Sequence, residues 1–184
     1  MSTALVPLAE GFEEIEAVTV VDLLRRAAIT VTTASLGEVA VRGSHGITVI
    51  ADRRLDEVLE DRFDLVVLPG GLPGADHLAA DPRILRLLQR QIAAGRHAAA
   101  ICAAPRVLAG AGLLEGKAAT AYPGVLEGLG VPGLKLDERK AVLQDGQITT
   151  SRGPGTAMDF ALHLIGILKG EASRESVEHG LQRV

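Results

Sequence analysis

The chain has 184 residues, 47% apolar and 23% charged, which suits one soluble domain with its own core and excludes a disordered chain. A formal charge of −4, no basic run and 2% aromatic residues (Phe12, Phe63, Phe160 and Tyr122) argue against nucleic-acid binding. One cysteine excludes an internal disulfide, no Cys or His cluster has metal-ligand spacing, and no run approaches the roughly 18 apolar residues of a membrane span. With no cationic, apolar leader at its start, the chain is expected to be cytoplasmic.

Short apolar runs alternate with helical patterns along the chain. A strand at Thr3 to Leu8 precedes a helix at Glu14 to Ala27, and a strand at Thr30 to Ser35 and another at Ile47 to Ala51 precede a helix at Leu55 to Leu59. Leu65 to Leu68 is a strand, Pro82 to Ala94 a helix, Ala98 to Ile101 a strand and Pro105 to Ala111 a helix. Strands follow at Ala118 to Ala121, Ala141 to Gln144 and Ile148 to Thr150, then a helix at Gly155 to Leu168 and a last one after Ala172. Near-continuously apolar strands separated by helices predict a mostly parallel sheet covered on both faces, a doubly wound α/β domain spanning 1–184. Such a sheet takes its ligands outside the carboxyl ends of its strands.

Four features fall at such ends. Glu16 shares a face of the first helix with Val20, Leu23 and Ala27, whereas Glu14 and Arg25 project to the other side. A carboxylate on an apolar face needs a partner or a proton, so its pKa is expected to rise; Glu13 and Glu14 read as first-turn charges that favour the helix dipole. Pro69-Gly70-Gly71-Leu72-Pro73-Gly74 bends out of a strand, either as an oxyanion site built from backbone N–H groups or as a tight turn. Its spacing fits neither a dinucleotide fingerprint nor a P-loop.

Cys102 sits where Ala98-Ala99-Ala100-Ile101 turns toward Pro105, as in a nucleophile elbow, and the N–H groups of the following helix favour thiolate over thiol. The competing reading is an inert, buried cysteine. Ser151-Arg152-Gly153-Pro154-Gly155-Thr156 either accepts an anionic group through Arg152 or only packs the last long helix.

These segments, with Ala9-Glu10-Gly11-Phe12-Glu13-Glu14-Ile15-Glu16, Val21-Asp22-Leu23-Leu24-Arg25-Arg26-Ala27, Leu68-Pro69-Gly70-Gly71, Ala99-Ala100-Ile101-Cys102-Ala103-Ala104-Pro105 and Thr150-Ser151-Arg152-Gly153-Pro154-Gly155-Thr156, resemble the ThiJ/PfpI superfamily. Within it they resemble the branch of the parkinsonism-associated deglycase and its bacterial relatives. The resemblance implies a flavodoxin-like fold, a homodimer and no cofactor, with Cys102 as nucleophile or oxidation-sensitive thiol, Glu16 as its protonated partner and backbone donors at Gly71 and Ala103. It implies cofactor-free glyoxalase or deglycase chemistry on a small aldehyde or dicarbonyl.

Two departures qualify it. Tyr122 stands where many relatives carry a histidine, and a phenol of pKa about 10 is a poor base, leaving base catalysis to Glu16. Ala103 replaces the histidine that follows the cysteine in the peptidase-like branch, which argues against a Cys-His protease. The resemblance also implies an anion pocket at which His45 and, from a partner subunit, Arg26 stand. The rival expectations are a redox-sensing stress protein or holdase whose thiolate stops at sulfinate, and an amidase or hydratase on the same scaffold.

Overall fold

In a computed structural model describing residues 1–183, the apolar runs pair into one seven-stranded sheet with helices on both faces. In chain order the elements are β1 (Thr3–Leu8), α1 (Glu14–Arg26), β2 (Thr30–Ser35), β3 (Ala40–Arg42), β4 (Thr48–Ile50), β5 (Arg53–Arg54), β6 (Leu65–Leu68), α2 (Gly74–Ala80) and α3 (Pro82–Ala93). There follow β7 (His97–Ile101), α4 (Pro105–Gly110), β8 (Ala118–Ala119), β9 (Lys135–Leu136), β10 (Val142–Asp145), β11 (Ile148–Ser151), α5 (Ala157–Lys169) and α6 (Glu171–Gly180). The sheet order is β10-β11-β7-β6-β1-β2-β5, parallel except for the edge strand β10. This is the doubly wound α/β fold expected from the pattern.

Alternation along β1 divides the core. Ala4, Val6 and Leu8 face α1, α5 and α6, while Leu5 faces α2, α3 and α4. The helices meet the sheet through aliphatic stripes, as at Ile84, Leu87 and Leu88 of α3, whose start is fixed by Pro82 and by Asp81 accepting the Arg83 N–H at 2.9 Å. The chain leaves β1 toward β2 and later returns to place β6 on β1's other edge. That reversal opens a crevice above β1 and β6, where a doubly wound sheet holds its ligand.

Two expectations are corrected. Leu55 to Leu59 forms only a 3-10 turn at Leu55–Glu57, too short to meet the cost of nucleating an α-helix. The strand expected at Ala118 to Ala121 stops at Ala119 and pairs with β9 outside the main sheet, because the Thr120 N–H goes to Thr150 Oγ1 at 2.9 Å. The run at Ile47 to Ala51 forms a strand as expected, β4, which pairs with β3 in a separate antiparallel hairpin. The glycine-rich bend out of β6 opens α2, which precedes α3.

Candidate active site

Loops leaving β1, β6 and β7 converge at Cys102. The residue has φ +62°, a left-handed backbone that a side chain adopts only when its surroundings hold it there. Here its N–H donates to Ser151 O at 2.9 Å and its carbonyl accepts the Tyr122 N–H at 3.0 Å, so the bend is fixed from both neighbouring segments. The sulfur-bearing residue is 9% exposed.

Glu16, in the first turn of α1, is fully buried together with Val20 and Leu23 of the same face, as its spacing predicts. Its Oε2 accepts the Gly70 N–H at 2.7 Å, and its Oε1 has no hydrogen-bond partner. Gly70 wedges between the two groups. A Cβ there would stand 2.8 Å from Cys102 Cβ, 2.8 Å from Glu16 Oε2 and 2.9 Å from the Ala103 nitrogen. Gly71 has φ +88°, and a side chain on it would run into the backbone of Gly11 to Glu13. The N–H groups of Gly71 and Ala103 act on the Cys102 thiol in the direction that favours its ionised form.

The electrostatics couple Glu16 to Cys102. Burial pushes the Glu16 carboxyl up to about 7, against the Gly70 N–H and the interaction with Cys102, while the charge of Glu13 adds to the rise. Burial likewise pushes the Cys102 thiol up to about 12, reinforced by the ionised Glu16 and opposed by the N–H groups of Gly71 and Ala103. This reverses the direction expected from a helix start. Helix α4 has only six residues, and desolvation of the sulfur outweighs what its N-terminus offers. The pair therefore keeps one proton between them above pH 7, and moving that proton onto Glu16 removes the repulsion that raises the thiol.

The remaining expected residues divide. Tyr122, 52% exposed, and Arg152 line one open cleft of about 370 Å³ with Pro123, Gly153, Pro154, Gly155 and Thr156. His45 lies at the β3–β4 turn, its Nδ1 3.2 Å from Glu14 Oε2 and 3.4 Å from Glu13 Oε1. Arg26 pairs with Asp22 at 2.7 Å, ten residues and about 15 Å along α1 from Glu16, so this chain does not bring its own Arg26 to Cys102.

Glu14 departs from expectation. It is buried rather than solvent-facing, because the hairpin folds over that side of α1 and Glu14 Oε1 accepts the N–H groups of His45 at 2.8 Å and Ile47 at 3.1 Å. Burial works to raise its carboxyl, but these N–H groups outweigh it and hold Glu14 below the usual range. Neither Glu13 nor Glu14 acts as the side-chain cap of α1; Glu13 accepts from Ser44 Oγ at 3.3 Å. Glu13, Glu14 and His45 bring three potential metal-ligand atoms within 4.8 Å of one another, a grouping that linear spacing hides because the hairpin alone creates it.

A family model described as the DJ-1/PfpI family matches residues 2–166. The chain is 44% identical to Protein dj-1beta of Drosophila melanogaster over 97% of its own length and 96% of that protein's, and the crystal structure of that protein superposes with TM-score 0.94 over the whole of both chains. It is 34% identical to a Caenorhabditis elegans protein named glutathione-independent glyoxalase DJR-1.2, covering 91% of this chain and 89% of the other. A structure described as Toxoplasma gondii DJ-1, oxidized, is 36% identical, with TM-score 0.91 and 98% of each chain covered.

Proposed function

The chain belongs to the DJ-1/PfpI family, and from that premise we propose that it is a cysteine-dependent, cofactor-free glyoxalase or deglycase-type enzyme acting on small reactive dicarbonyls or their adducts. The observation that carries this reading is the buried Glu16 carboxyl beside Cys102, with the N–H groups of Gly71 and Ala103 favouring the ionised form of the same thiol. A relative that bears the name of a glutathione-independent glyoxalase supports it.

The chemistry follows from one mobile proton. Cys102 sulfur bonds to the aldehyde carbon of a 2-oxoaldehyde while its proton passes to Glu16, and the N–H groups of Gly71 and Ala103 take up the charge that forms on oxygen. Glu16 returns that proton to the oxygen, giving a hemithioacetal. The freed carboxylate then removes the hydrogen on that carbon as a proton and delivers it to the neighbouring carbon, while the hydroxyl proton passes to the neighbouring oxygen. The result is a 2-hydroxy thioester, formed without an external oxidant. Water releases the 2-hydroxy acid and restores the thiol.

The test is lactate formation from methylglyoxal. We expect Cys102→Ser to lose at least about 10³-fold and Glu16→Gln about 10² to 10⁴-fold, the range of a lost general base. The kcat/KM of the wild type should rise with pH through about 7, as the pair gives up its first proton. Full activity in the serine variant refutes the proposal.

The same donors favour a second reading, in which peroxide oxidises the sulfur in two steps to a sulfinate held by Glu16, Gly71 and Ala103, each step reducing one peroxide to water. A two-oxygen mass gain confined to Cys102, with negligible lactate formation, selects that reading.

A further inference from the structure

Beyond the nucleophile and its acid, a cleft beside the elbow is lined by a cation, Arg152. Arg152 follows directly on β11, whose last residue, Ser151, accepts the Cys102 N–H at 2.9 Å. Adjacent strands lie about 4.8 Å apart, so the Arg152 backbone is a near neighbour of the elbow. Its N–H is spent on Ala141 O at 3.2 Å, but its guanidinium joins no ion pair among the described residues. The carboxyl that feels its charge is Glu138, pushed up by Glu127 beside it more strongly than Arg152 holds it down.

Arg152 is half-buried and lines the 370 Å³ cleft with Tyr122, the residue whose N–H holds the Cys102 carbonyl. The Tyr122 ring packs over Gly153, where a Cβ would stand 3.4 Å from it. A guanidinium and a phenol that line the same cleft suit a carboxylate. A neutral three-carbon dicarbonyl offers them carbonyl oxygens but no charge for the guanidinium to pair with.

We propose that Arg152 and Tyr122 form a carboxylate-binding subsite, and that the preferred substrates are 2-oxoaldehydes carrying a carboxylate tail rather than methylglyoxal itself. This rests on the reading of Cys102 as the nucleophile and names its substrate class. For 4,5-dioxopentanoate the thiol adds to the aldehyde, the hydrogen on that carbon moves to the neighbouring carbon, and water releases 2-hydroxyglutarate; Arg152 holds the distal carboxylate throughout.

The experiment compares kcat/KM for 4,5-dioxopentanoate and methylglyoxal in the wild type, Arg152→Gln, Arg152→Lys and Tyr122→Phe. The expected wild-type preference for the anionic substrate is roughly tenfold or more. It should collapse toward unity in Arg152→Gln through KM, return in part in Arg152→Lys, and shrink with added salt. A preference that survives Arg152→Gln, or a wild type that prefers methylglyoxal, overturns the subsite while leaving the nucleophile in place. Binding of 2-hydroxyglutarate to Cys102→Ser, followed by calorimetry with and without Arg152→Gln, reads the subsite when chemistry is absent. If neither substrate turns over but this binding depends on Arg152, the enzymatic reading fails and the subsite stands; if binding is absent too, both fail.

Discussion

Glu16 is costly to the fold. A carboxyl whose pKa rises from 4.5 to about 7 keeps in the folded chain a proton that the unfolded chain has already released, so between those pH values stability falls as pH rises. The loss is complete above pH 7 and amounts to about 3 kcal/mol. Glu16→Gln keeps an acceptor for the Gly70 N–H without a charge to desolvate. We therefore expect that variant to be more stable than the wild type at pH 8 and nearly equal to it at pH 5, measured by urea unfolding. Parallel stabilities of the two proteins at both pH values would show that the carboxyl is not desolvated as described.

At the scale of elements, the loop from β6 to α2 explains why two successive glycines stand there, a point the sequence left open between an anion site and a turn. They serve different needs. Gly71 supplies a left-handed φ, whereas Gly70 supplies only space, since any Cβ would separate Glu16 from Cys102. Gly70→Ala should accordingly cut lactate formation by about 100-fold through misplacement of the reacting groups. Its melting curve should move by no more than overpacking usually costs, about 1 to 3 kcal/mol. Turnover that persists in a folded Gly70→Ala protein would contradict this geometry. The bounds of β1, β2 and β6 and the burial of Glu16 were legible in the sequence because periodicity and apolar runs report directly on which side of an element faces the core. Glu14 was not, since its burial comes from a hairpin thirty residues away in sequence. Nor was the direction of the Cys102 shift, which depends on burial of the thiol in the folded chain and on Glu16 brought beside it.

Among the described residues, exposed aliphatic side chains gather on α1 and the hairpin beside it. Ile15 and Val18 stand exposed on the outer side of α1, in line with the half-buried Val21, and Ile47 and Ile50 are exposed on the adjoining hairpin. Val18, Val21, Val49 and Ile50 line one shallow groove between the two elements. Isolated exposed aliphatics are ordinary, but a contiguous stripe on a helix already carrying the candidate acid marks an association surface. A second copy of this chain is the occupant we expect, since a two-fold contact through α1 sets each helix against its twin and offers the partner's Arg26 a route to the β3–β4 turn that its own chain denies it. Sedimentation should give a dimer for the wild type and a monomer for Val18→Glu or Ile50→Lys, because a charge buried in an apolar contact without a partner is strongly disfavoured. If His45 and Arg26 then act across the contact, the monomeric variants should also lose affinity for anionic ligands at that turn. A wild type that sediments as a monomer at high concentration would sever His45 from Arg26 and leave the stripe without an occupant.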